Sequence, residues 1–200
     1  ALRTISKNYY ENNKIKKNFY DFKTICVGNI YIGGTGKTPL VNNLASHFKK
    51  KFKTFIVKKN YPSHLDEKRL LESRHKVIFE KTRLLSLSKA EQEKAELIIF
   101  DDGLQEKIIN YDLKIVCFNS MKLDGNGLVI PAGPLRERLN SLKDYDIVFI
   151  NGNINKKSKD FVNIIQKINP DIRIFTGRYV PKNYANLKRK KFFIFSGIGN

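Results

Sequence analysis

The chain has 200 residues, of which 41% are hydrophobic, and this length and composition suit one compact domain with a substantial core. Lys and Arg number 38 against 19 Asp and Glu, giving a net charge of +19, which favours anionic partners such as nucleotides, phosphorylated sugars, anionic lipids or nucleic acids. Alternatively, much of this charge reflects a biased base composition and is solvated surface without a partner. No apolar run approaches the ~20 residues of a membrane-spanning helix, so the sequence predicts no segment that crosses a bilayer.

Residues 1–20 form a basic amphipathic segment. Leu2, Ile5 and Tyr9 fall on one face of a helix, and several Lys and Arg residues surround and follow them. This segment could lie on an anionic membrane surface, where each basic residue contributes about 1 kcal/mol, or it could dock on the domain that follows it.

Short apolar runs alternate with helix-period segments through the rest of the chain. The runs predicted to be β-strands are residues 23–27, 54–57, 76–79, 97–100, 113–118, 146–150, 172–175 and 192–195. The apolar helix faces consist of Leu40, Val41, Leu44, Ala45 and Phe48, and of Phe161, Val162, Ile164, Ile165 and Ile168. This alternation predicts an α/β fold with a mainly parallel sheet and helices on both faces. Cys26 and Cys117 fall within two of the runs, and without CxxC spacing they are predicted to be buried thiols.

The most specific motif is a glycine-rich loop that ends in Gly-Lys-Thr. It follows the first predicted strand and precedes a predicted helix, and its residues are Tyr31, Ile32, Gly33, Gly34, Thr35, Gly36, Lys37 and Thr38. Glycines let backbone N–H groups approach a polyphosphate, and the N-terminus of the following helix adds positive potential. In such a loop Lys37 reaches the β- and γ-phosphates and the Thr38 hydroxyl binds Mg²⁺. The motif therefore predicts a P-loop nucleotide site, although the usual pattern has glycine where this chain has Tyr31.

Two carboxylates, Asp101 and Asp102, follow the apolar run 97–100. A carboxylate at the carboxyl end of a strand, beside a phosphate loop, can hold Mg²⁺ or its water shell. Paired acids at a strand end are otherwise a common turn signal. We assign Asp101 to the metal and Asp102 to catalysis, while the sequence leaves open which of the two holds the metal.

Two other functional classes fit parts of the sequence. A nucleotide-dependent switch that binds a membrane or protein partner is the alternative function. However, the loops of ATPases that partition chromosomes or position division sites carry Lys just before Gly-Gly, where this chain has Ile32. A nucleic-acid-binding module would explain the charge, but the sequence has no helix-turn-helix, RNP-type or zinc pattern, and no nucleic acid partner is expected.

Further segments resemble the tetraacyldisaccharide 4′-kinases in order and spacing. They are Val27-Gly28-Asn29 before the loop, Asp101-Asp102-Gly103-Leu104-Gln105, Gly125-Asn126-Gly127 and Ile130-Pro131-Ala132-Gly133-Pro134-Leu135-Arg136-Glu137. Asn151-Gly152, Thr176-Gly177-Arg178 and Ser196-Gly197-Ile198-Gly199 extend the resemblance over residues 20–200. The family also replaces the first glycine of the usual phosphate loop.

The resemblance implies a kinase that uses ATP and Mg²⁺. It would transfer the γ-phosphate to the 4′-hydroxyl of an acylated disaccharide phosphate, the lipid A precursor, and give lipid IV-A. The implied location is the cytoplasmic face of the bacterial inner membrane, with peripheral association to its anionic surface. Residues 21–178 are then the kinase domain, and residues 179–200 are a connector and the start of a C-terminal part. Because the chain begins with Ala1 and stops directly after a strand-like run, we expect it to be a fragment.

The resemblance also implies a general base. In the family a carboxylate of a Gly-Asp-Glu-Pro segment has this role, and the matching stretch Leu65-Asp66-Glu67-Lys68 gives it to Asp66. From the residues alone, Asp66 reads instead as the N-cap of a helix. The family pairs the base with a His of a later Asp-His-His segment, a position that His47, His64 and His75 do not match.

The remaining implied site residues form a phosphate or substrate clamp. They are Lys59, Gln105, Asn126, Arg136 and Glu137. Lys59 stands where the family has the Arg of a Ser-Arg-Gly-Tyr segment, so it keeps the charge without the bidentate fork. Arg136 would supply a fixed positive charge to phosphate oxygens, although Arg136 and Glu137 also suit an ordinary turn and helix start. Asn126, between two glycines, also suits a tight turn.

Overall fold

The structure is a computed structural model that describes residues 20–59, 69, 71–106 and 108–180. The strands in these residues are β1 (Lys23–Gly28), β2 (Thr54–Lys59), β3 (Lys76–Glu80), β4 (Leu97–Asp101), β5 (Leu113–Asn119), β6 (Ile147–Asn151) and β7 (Arg173–Gly177). The helices are α1 (Lys37–Phe48), α2 (Arg83–Gln92) and α3 (Lys156–Ile168), with a 3-10 helix at Leu139–Asp144. This alternation confirms the predicted α/β class. The predicted strand 192–195 and nearly all of the amphipathic segment 1–20 lie outside the described residues.

The chain divides into two compact units, and the first comprises residues 1–29 and 37–116. Its strands lie in the order β3-β2-β4-β1-β5, and the recorded pairs are all parallel. All five residues of β4 are buried, as are Ile25, Cys26 and Val27 of β1, because a parallel strand covered on both faces is apolar along its whole length. Helix α1 packs on β1, β2 and β4 with Val41 and Ala45 buried.

The second unit comprises residues 30–36 and 117–200. Strand β5 runs from the first unit into the second, where the strand order is β5-β6-β7 and β6 pairs with β7 in parallel. Helix α3 begins with a capping box in which Asn155 and Ser158 bond reciprocally to each other's backbone N–H. Its buried Phe161 packs edge-on against Phe118 with ring centroids 5.0 Å apart, and burying such a ring stabilises the unit by roughly 2–3 kcal/mol.

The observed elements differ from the predicted ones mainly at their ends. The strands β1 to β7 each continue to a polar or glycine residue that the apolar pattern omits, and β6 and β7 also begin one residue later than predicted. Ile164 of the predicted α3 face is exposed, because the buried stripe follows Ser158, Phe161 and Ile165. Cys26 and Cys117 are buried free thiols, as predicted.

Candidate functional site

The glycine-rich loop has the strand-loop-helix context that the sequence predicts. β1 ends at Gly28 and α1 begins at Lys37, so the loop runs directly into the N-terminus of a helix, where unpaired backbone N–H groups favour anions. Gly33 and Gly36 have φ values of +80° and +84°, a left-handed conformation that glycine adopts without steric cost.

Polar side chains at or just after the carboxyl ends of strands in the second unit donate hydrogen bonds to the glycines of this loop. The Tyr179 hydroxyl donates to the Gly36 carbonyl at 3.1 Å, and the Asn119 carboxamide donates to the Gly34 carbonyl at 3.4 Å. A Cβ atom at Gly36 would collide with the Asn151 carboxamide and would lie 3.1 Å from the Tyr179 hydroxyl. Only glycine therefore fits at position 36.

The first residues of the loop pair with the segment that contains Arg136. The Ile32 N–H donates to the Pro134 carbonyl at 2.9 Å, and the Arg136 N–H donates to the Ile30 carbonyl at 2.6 Å. Leu135, between these two bonds, is fully buried. The backbone of Arg136 therefore lies directly beside the loop, where the sequence places a phosphate clamp.

The other predicted clamp residues make local structural bonds. Asn126 accepts from the Leu128 N–H at 3.1 Å and donates to the Ala132 carbonyl at 3.0 Å, which closes the turn between them. Glu137 accepts from the Tyr145 hydroxyl at 3.0 Å. In the first unit, Gln105 donates to the Asn29 carbonyl at 3.0 Å. The ligand contacts of these residues and of Lys59, exposed at the end of β2, stay predictions.

Asp101, at the end of β4, has a buried carboxylate, and one of its two oxygens contacts both a hydroxyl and an ammonium group. The Thr38 hydroxyl donates to Asp101 Oδ2 at 3.0 Å, and Lys58 Nζ lies 2.8 Å from the same atom. The side chains of Asp101 and Lys58 are only 1% and 11% exposed, so the ion pair compensates a charge that would be costly to bury alone. Asp101 Oδ1 is buried and has no hydrogen-bond partner among the described residues.

Asp102, the next residue, has a left-handed backbone with φ +65°. Its carboxylate lies 3.9 Å from Lys37 Nζ, which brings together two of the three residues predicted to be catalytic, the third being Asp66. Its N–H donates to the Val27 carbonyl at 2.8 Å, and Arg83 donates a short hydrogen bond to its carbonyl oxygen. A non-glycine residue with positive φ costs about 1–3 kcal/mol, so these bonds hold the carboxylate in a strained position.

Arg83, at the start of α2, belongs to a partly buried network behind Asp102. Besides the Asp102 carbonyl, it contacts Glu106 at 3.4 Å. A Cβ atom at Gly103 would lie 2.8 Å from the Tyr111 hydroxyl and 3.0 Å from Cys26 Sγ, so the chain turns in very little space. Burial raises the pKa of the Cys26 thiol and of the Tyr111 hydroxyl well above their usual values, and both groups stay neutral.

Sequence reasoning missed Lys58 and Arg83 as site residues. Arg83 follows the N-cap Thr82 and looks like an ordinary helix start. Lys58 is 43 positions from Asp101, and only the alignment of β2 beside β4 brings the two together. The predicted general base Asp66 lies outside the described residues.

The second unit also contains an open cleft of about 560 Å³ beside the loop. Its lining comes from the residues at and after the carboxyl ends of β5, β6 and β7, namely Asn119, Ser120, Met121, Asn151, Gly152, Asn153, Arg178, Tyr179 and Val180. The carboxyl ends of parallel strands are where α/β proteins bind ligands. Asn119 and Tyr179 line the cleft and also donate hydrogen bonds to the carbonyls of two loop glycines, so the cleft adjoins the phosphate loop.

Two further features are absent from the described part of the chain. It contains no cluster of three or more His, Cys, Asp or Glu side chains that would hold a metal ion on its own. Nor does any helix in that part have the length and apolar character needed to span a membrane.

The family model and the similar curated relatives name the same family. The family model described as Tetraacyldisaccharide-1-P 4'-kinase matches residues 1–200. The chain is 46% identical over 201 residues to a tetraacyldisaccharide 4'-kinase of Pelagibacter ubique, covering 98% of this chain and 60% of that protein. It is 38% identical over 197 residues to the Rickettsia canadensis protein of the same name, covering 89% and 58%. The chain therefore spans about three fifths of the length of these relatives.

Solved structures show the same fold. LpxK from Aquifex aeolicus in complex with ATP superposes with a TM-score of 0.61 at 19% identity, covering 98% of this chain and 81% of that one. The hydrogenase maturation factor HypB from Archaeoglobus fulgidus gives a TM-score of 0.60 at 13% identity, covering 88% and 90%. These likenesses confirm the predicted P-loop fold class.

Proposed function

Because the chain belongs to the tetraacyldisaccharide-1-P 4'-kinase family, we propose that its protein transfers the γ-phosphate of ATP to the 4′-hydroxyl of a tetraacyldisaccharide 1-phosphate. The product would be lipid IV-A, in the synthesis of lipid A. The observation that carries the proposal is the convergence of Lys37, Thr38, Asp101 and Asp102 where the phosphate loop enters α1. These are the charges and oxygen ligands that phosphoryl transfer requires.

The residues around Asp101 fit a magnesium ion. Mg²⁺ prefers oxygen ligands and keeps several of its waters, so one or two protein oxygens suffice beside the substrate phosphates. Asp101 offers a buried Oδ1 atom that has no hydrogen-bond partner within the described part of the chain, and the Thr38 hydroxyl lies 3.0 Å from the other carboxylate oxygen. When bound there, Mg²⁺ would offset charge on the β- and γ-phosphates.

Lys37 and the loop amides perform the electrostatic part of the reaction. Phosphoryl transfer depends mainly on positioning and on charge stabilisation at the transferring group. The Lys37 ammonium supplies one positive charge there, and the N–H groups of the loop and of the first turn of α1 supply fixed dipoles. Asp102 positions the ammonium, because its carboxylate lies 3.9 Å away. Arg136 adds positive charge beside the loop.

The cleft beside the loop is the site for the adenosine part of ATP. It opens at the carboxyl ends of β5, β6 and β7, and its lining includes three asparagine carboxamides and the Ser120 hydroxyl beside apolar groups. Such groups can hydrogen-bond a purine base or a ribose. Since Asn119 and Tyr179 bond the loop glycines, a nucleotide whose phosphates lie in the loop can reach the cleft with its base.

Asp66 is the proposed general base, on the strength of the family motif. Its carboxylate would accept the proton of the sugar hydroxyl as that oxygen attacks phosphorus. Replacement of Asp66 by Asn should leave ATP affinity within about twofold and lower transfer by at least about a hundredfold, in line with typical general-base effects. Equal transfer by Asp66→Asn would reject this assignment.

The substrate places the enzyme at an anionic surface. Residues 1–20, together with the net charge of +19, favour peripheral binding to the cytoplasmic face of the inner membrane, where basic residues near anionic lipid contribute about 1 kcal/mol each. An acylated substrate stays in the bilayer, so surface binding brings the phosphate loop to it.

A transfer assay tests the proposed function. The purified protein is incubated with magnesium, γ-labelled ATP and tetraacyldisaccharide 1-phosphate in mixed micelles, and label in the lipid is counted. A deacylated disaccharide phosphate and Lys37→Ala serve as controls. We expect magnesium-dependent label in the acylated lipid at the 4′ position. ATP hydrolysis without labelled lipid would instead identify a nucleotide-dependent switch and reject the kinase.

A further inference from the structure

Tyr179 occupies an unusual position two residues after β7. Its hydroxyl donates to the carbonyl of Gly36, the last glycine of the phosphate loop, at 3.1 Å. Tyr179 also lines the adjoining cleft. The side chain is 57% exposed, so the ring is not needed to fill a core. The residue therefore contacts both the loop and the cleft while remaining accessible to a ligand.

The hydrogen bond to Gly36 fixes an amide that faces the phosphate. In a planar trans peptide the C=O and N–H groups point in opposite directions, and Ile130–Pro131 is the only cis bond in the described residues. Holding the Gly36 carbonyl therefore also fixes the N–H of Lys37, in the same peptide unit. This N–H is one of the first four of α1, which have no acceptor within the helix.

The phenol remains a donor under all ordinary conditions. Partial burial, together with Cys117, raises the pKa of Tyr179 to about 12. The proton is therefore in place for the bond to the Gly36 carbonyl across the physiological range. Tyr179 is also the aromatic residue among those that line the cleft, together with Asn119, Asn151 and Asn153. Aromatic faces bind bases of any sequence by stacking.

We propose that Tyr179 is a nucleotide-binding residue with two functions: its ring stacks on the adenine of ATP, and its hydroxyl orients the last peptide of the phosphate loop. This inference rests on the proposed ATP site. It adds a specific residue of this chain, which neither the phosphate-loop motif nor the family motifs include. The ring would contact the base, whereas the hydroxyl would support phosphate binding through the Gly36–Lys37 peptide. Ligands with and without a base therefore separate the two functions.

Calorimetry of two variants with two ligands tests the proposal. MgATP and magnesium tripolyphosphate are titrated into the wild-type protein, Tyr179→Phe and Tyr179→Leu. Tyr179→Phe keeps the ring and loses the hydroxyl, and we expect roughly threefold weaker binding of both ligands, the effect of one neutral hydrogen bond. Tyr179→Leu also loses the ring, and we expect a further loss of roughly tenfold for ATP alone.

A matched control is Phe175→Leu, which removes an exposed ring of β7 that is not part of the cleft wall. It should bind both ligands like the wild type. Equal losses for ATP and tripolyphosphate in Tyr179→Leu would overturn the stacking function, and unchanged binding in Tyr179→Phe would overturn the hydroxyl function. Failure of the wild-type protein to bind MgATP would reject the proposed function itself. Thermal unfolding of each variant confirms that it folds.

Discussion

Lys37 is the residue whose charge the proposed chemistry uses most directly. Its side chain is 15% exposed and its ammonium lies 3.9 Å from Asp102. Replacement by Ala removes a positive charge at the transferring phosphate, and comparable losses of one stabilising donor lower kcat by about 10²–10³. We expect Lys37→Ala to lower the transfer rate by at least this factor. Lys50→Ala, which removes an exposed Lys just after α1, is the control and should keep its activity.

Asp101 combines a structural ion pair with the proposed magnesium site, and two variants separate these functions. Asp101→Asn takes the carboxylate from Lys58, which is 2.8 Å away and mostly buried, and breaking such a pair costs about 3–5 kcal/mol. Thr38→Ala removes only a hydroxyl and should cost about 1 kcal/mol. Both should raise the magnesium concentration needed for half-maximal transfer.

Chemical denaturation and a magnesium titration measure these two effects. An Asp101→Leu, Lys58→Met double variant replaces the pair by apolar groups and should regain most of the stability lost by Asp101→Asn. Its magnesium dependence should remain impaired. Normal magnesium dependence in the double variant would contradict the assignment of Asp101 to the metal.

Sequence alone identified several of these residues but not their supporting partners. The Gly-Lys-Thr signature is local, since it lies within a few residues of one strand and one helix, so Lys37 and Thr38 could be predicted. Lys58 and Arg83 contact Asp101 and Asp102, respectively, from elements that are far from these residues in the sequence. Their contacts depend on the strand order β2-β4-β1 and on the position of the first turn of α2. No local sequence pattern encodes either of these.

At the scale of elements, the turn from β1 into α1 has a strict steric requirement. Gly36 has φ +84°, and a Cβ there would collide with the Asn151 carboxamide. Gly36→Ala should therefore displace the loop and abolish measurable ATP binding. Gly127→Ala is a matched control, because Gly127 has φ +72° but its nearest neighbour would be 3.6 Å from the new Cβ.

Both glycine variants should lose roughly 1 kcal/mol or more of stability through backbone strain. Only the variant at position 36 should lose nucleotide affinity, which fluorescence titration with a labelled ATP analogue measures. Equal ATP affinity in Gly36→Ala and the wild type would show that the loop does not hold the phosphates as proposed.

Strand positions could be predicted from sequence better than strand ends or loop partners. Apolar runs placed β1 to β7, because buried parallel strands are apolar along their length. The same pattern omitted Asp101, which ends β4 and accepts from the Thr38 hydroxyl, and Asn119, which ends β5 and lines the cleft. The pairing of residues 30–32 with Pro134–Arg136 was also missed, since the segment reads only as a proline-rich turn.

At the scale of the whole molecule, the charge of +19 should make the proposed membrane association dependent on salt. Attraction between exposed charges and anionic lipid weakens as the Debye length falls from about 10 Å at 0.1 M to about 3 Å at 1 M salt. We expect sedimentation with vesicles that contain anionic phospholipid to decrease several-fold over this range. Vesicles of neutral phosphatidylcholine are the control and should retain little protein.

A variant without residues 1–20 separates the basic segment from the rest of the charge. If that segment lies on the membrane, its removal should reduce vesicle binding much more than replacement of an equal number of Lys residues elsewhere. Vesicle binding that is the same at low and high salt would contradict an electrostatic mode of association.

The central claim is that the loop at residues 33–38 binds the phosphates of ATP together with magnesium. Isothermal titration calorimetry of the complete protein with ATP, with magnesium and with magnesium chelated, tests it most directly. We predict saturable 1:1 binding that requires magnesium and that Lys37→Ala weakens by at least about tenfold, the effect of losing one charge-assisted contact. Absence of binding in the wild-type protein, or equal affinity in Lys37→Ala, would contradict the account.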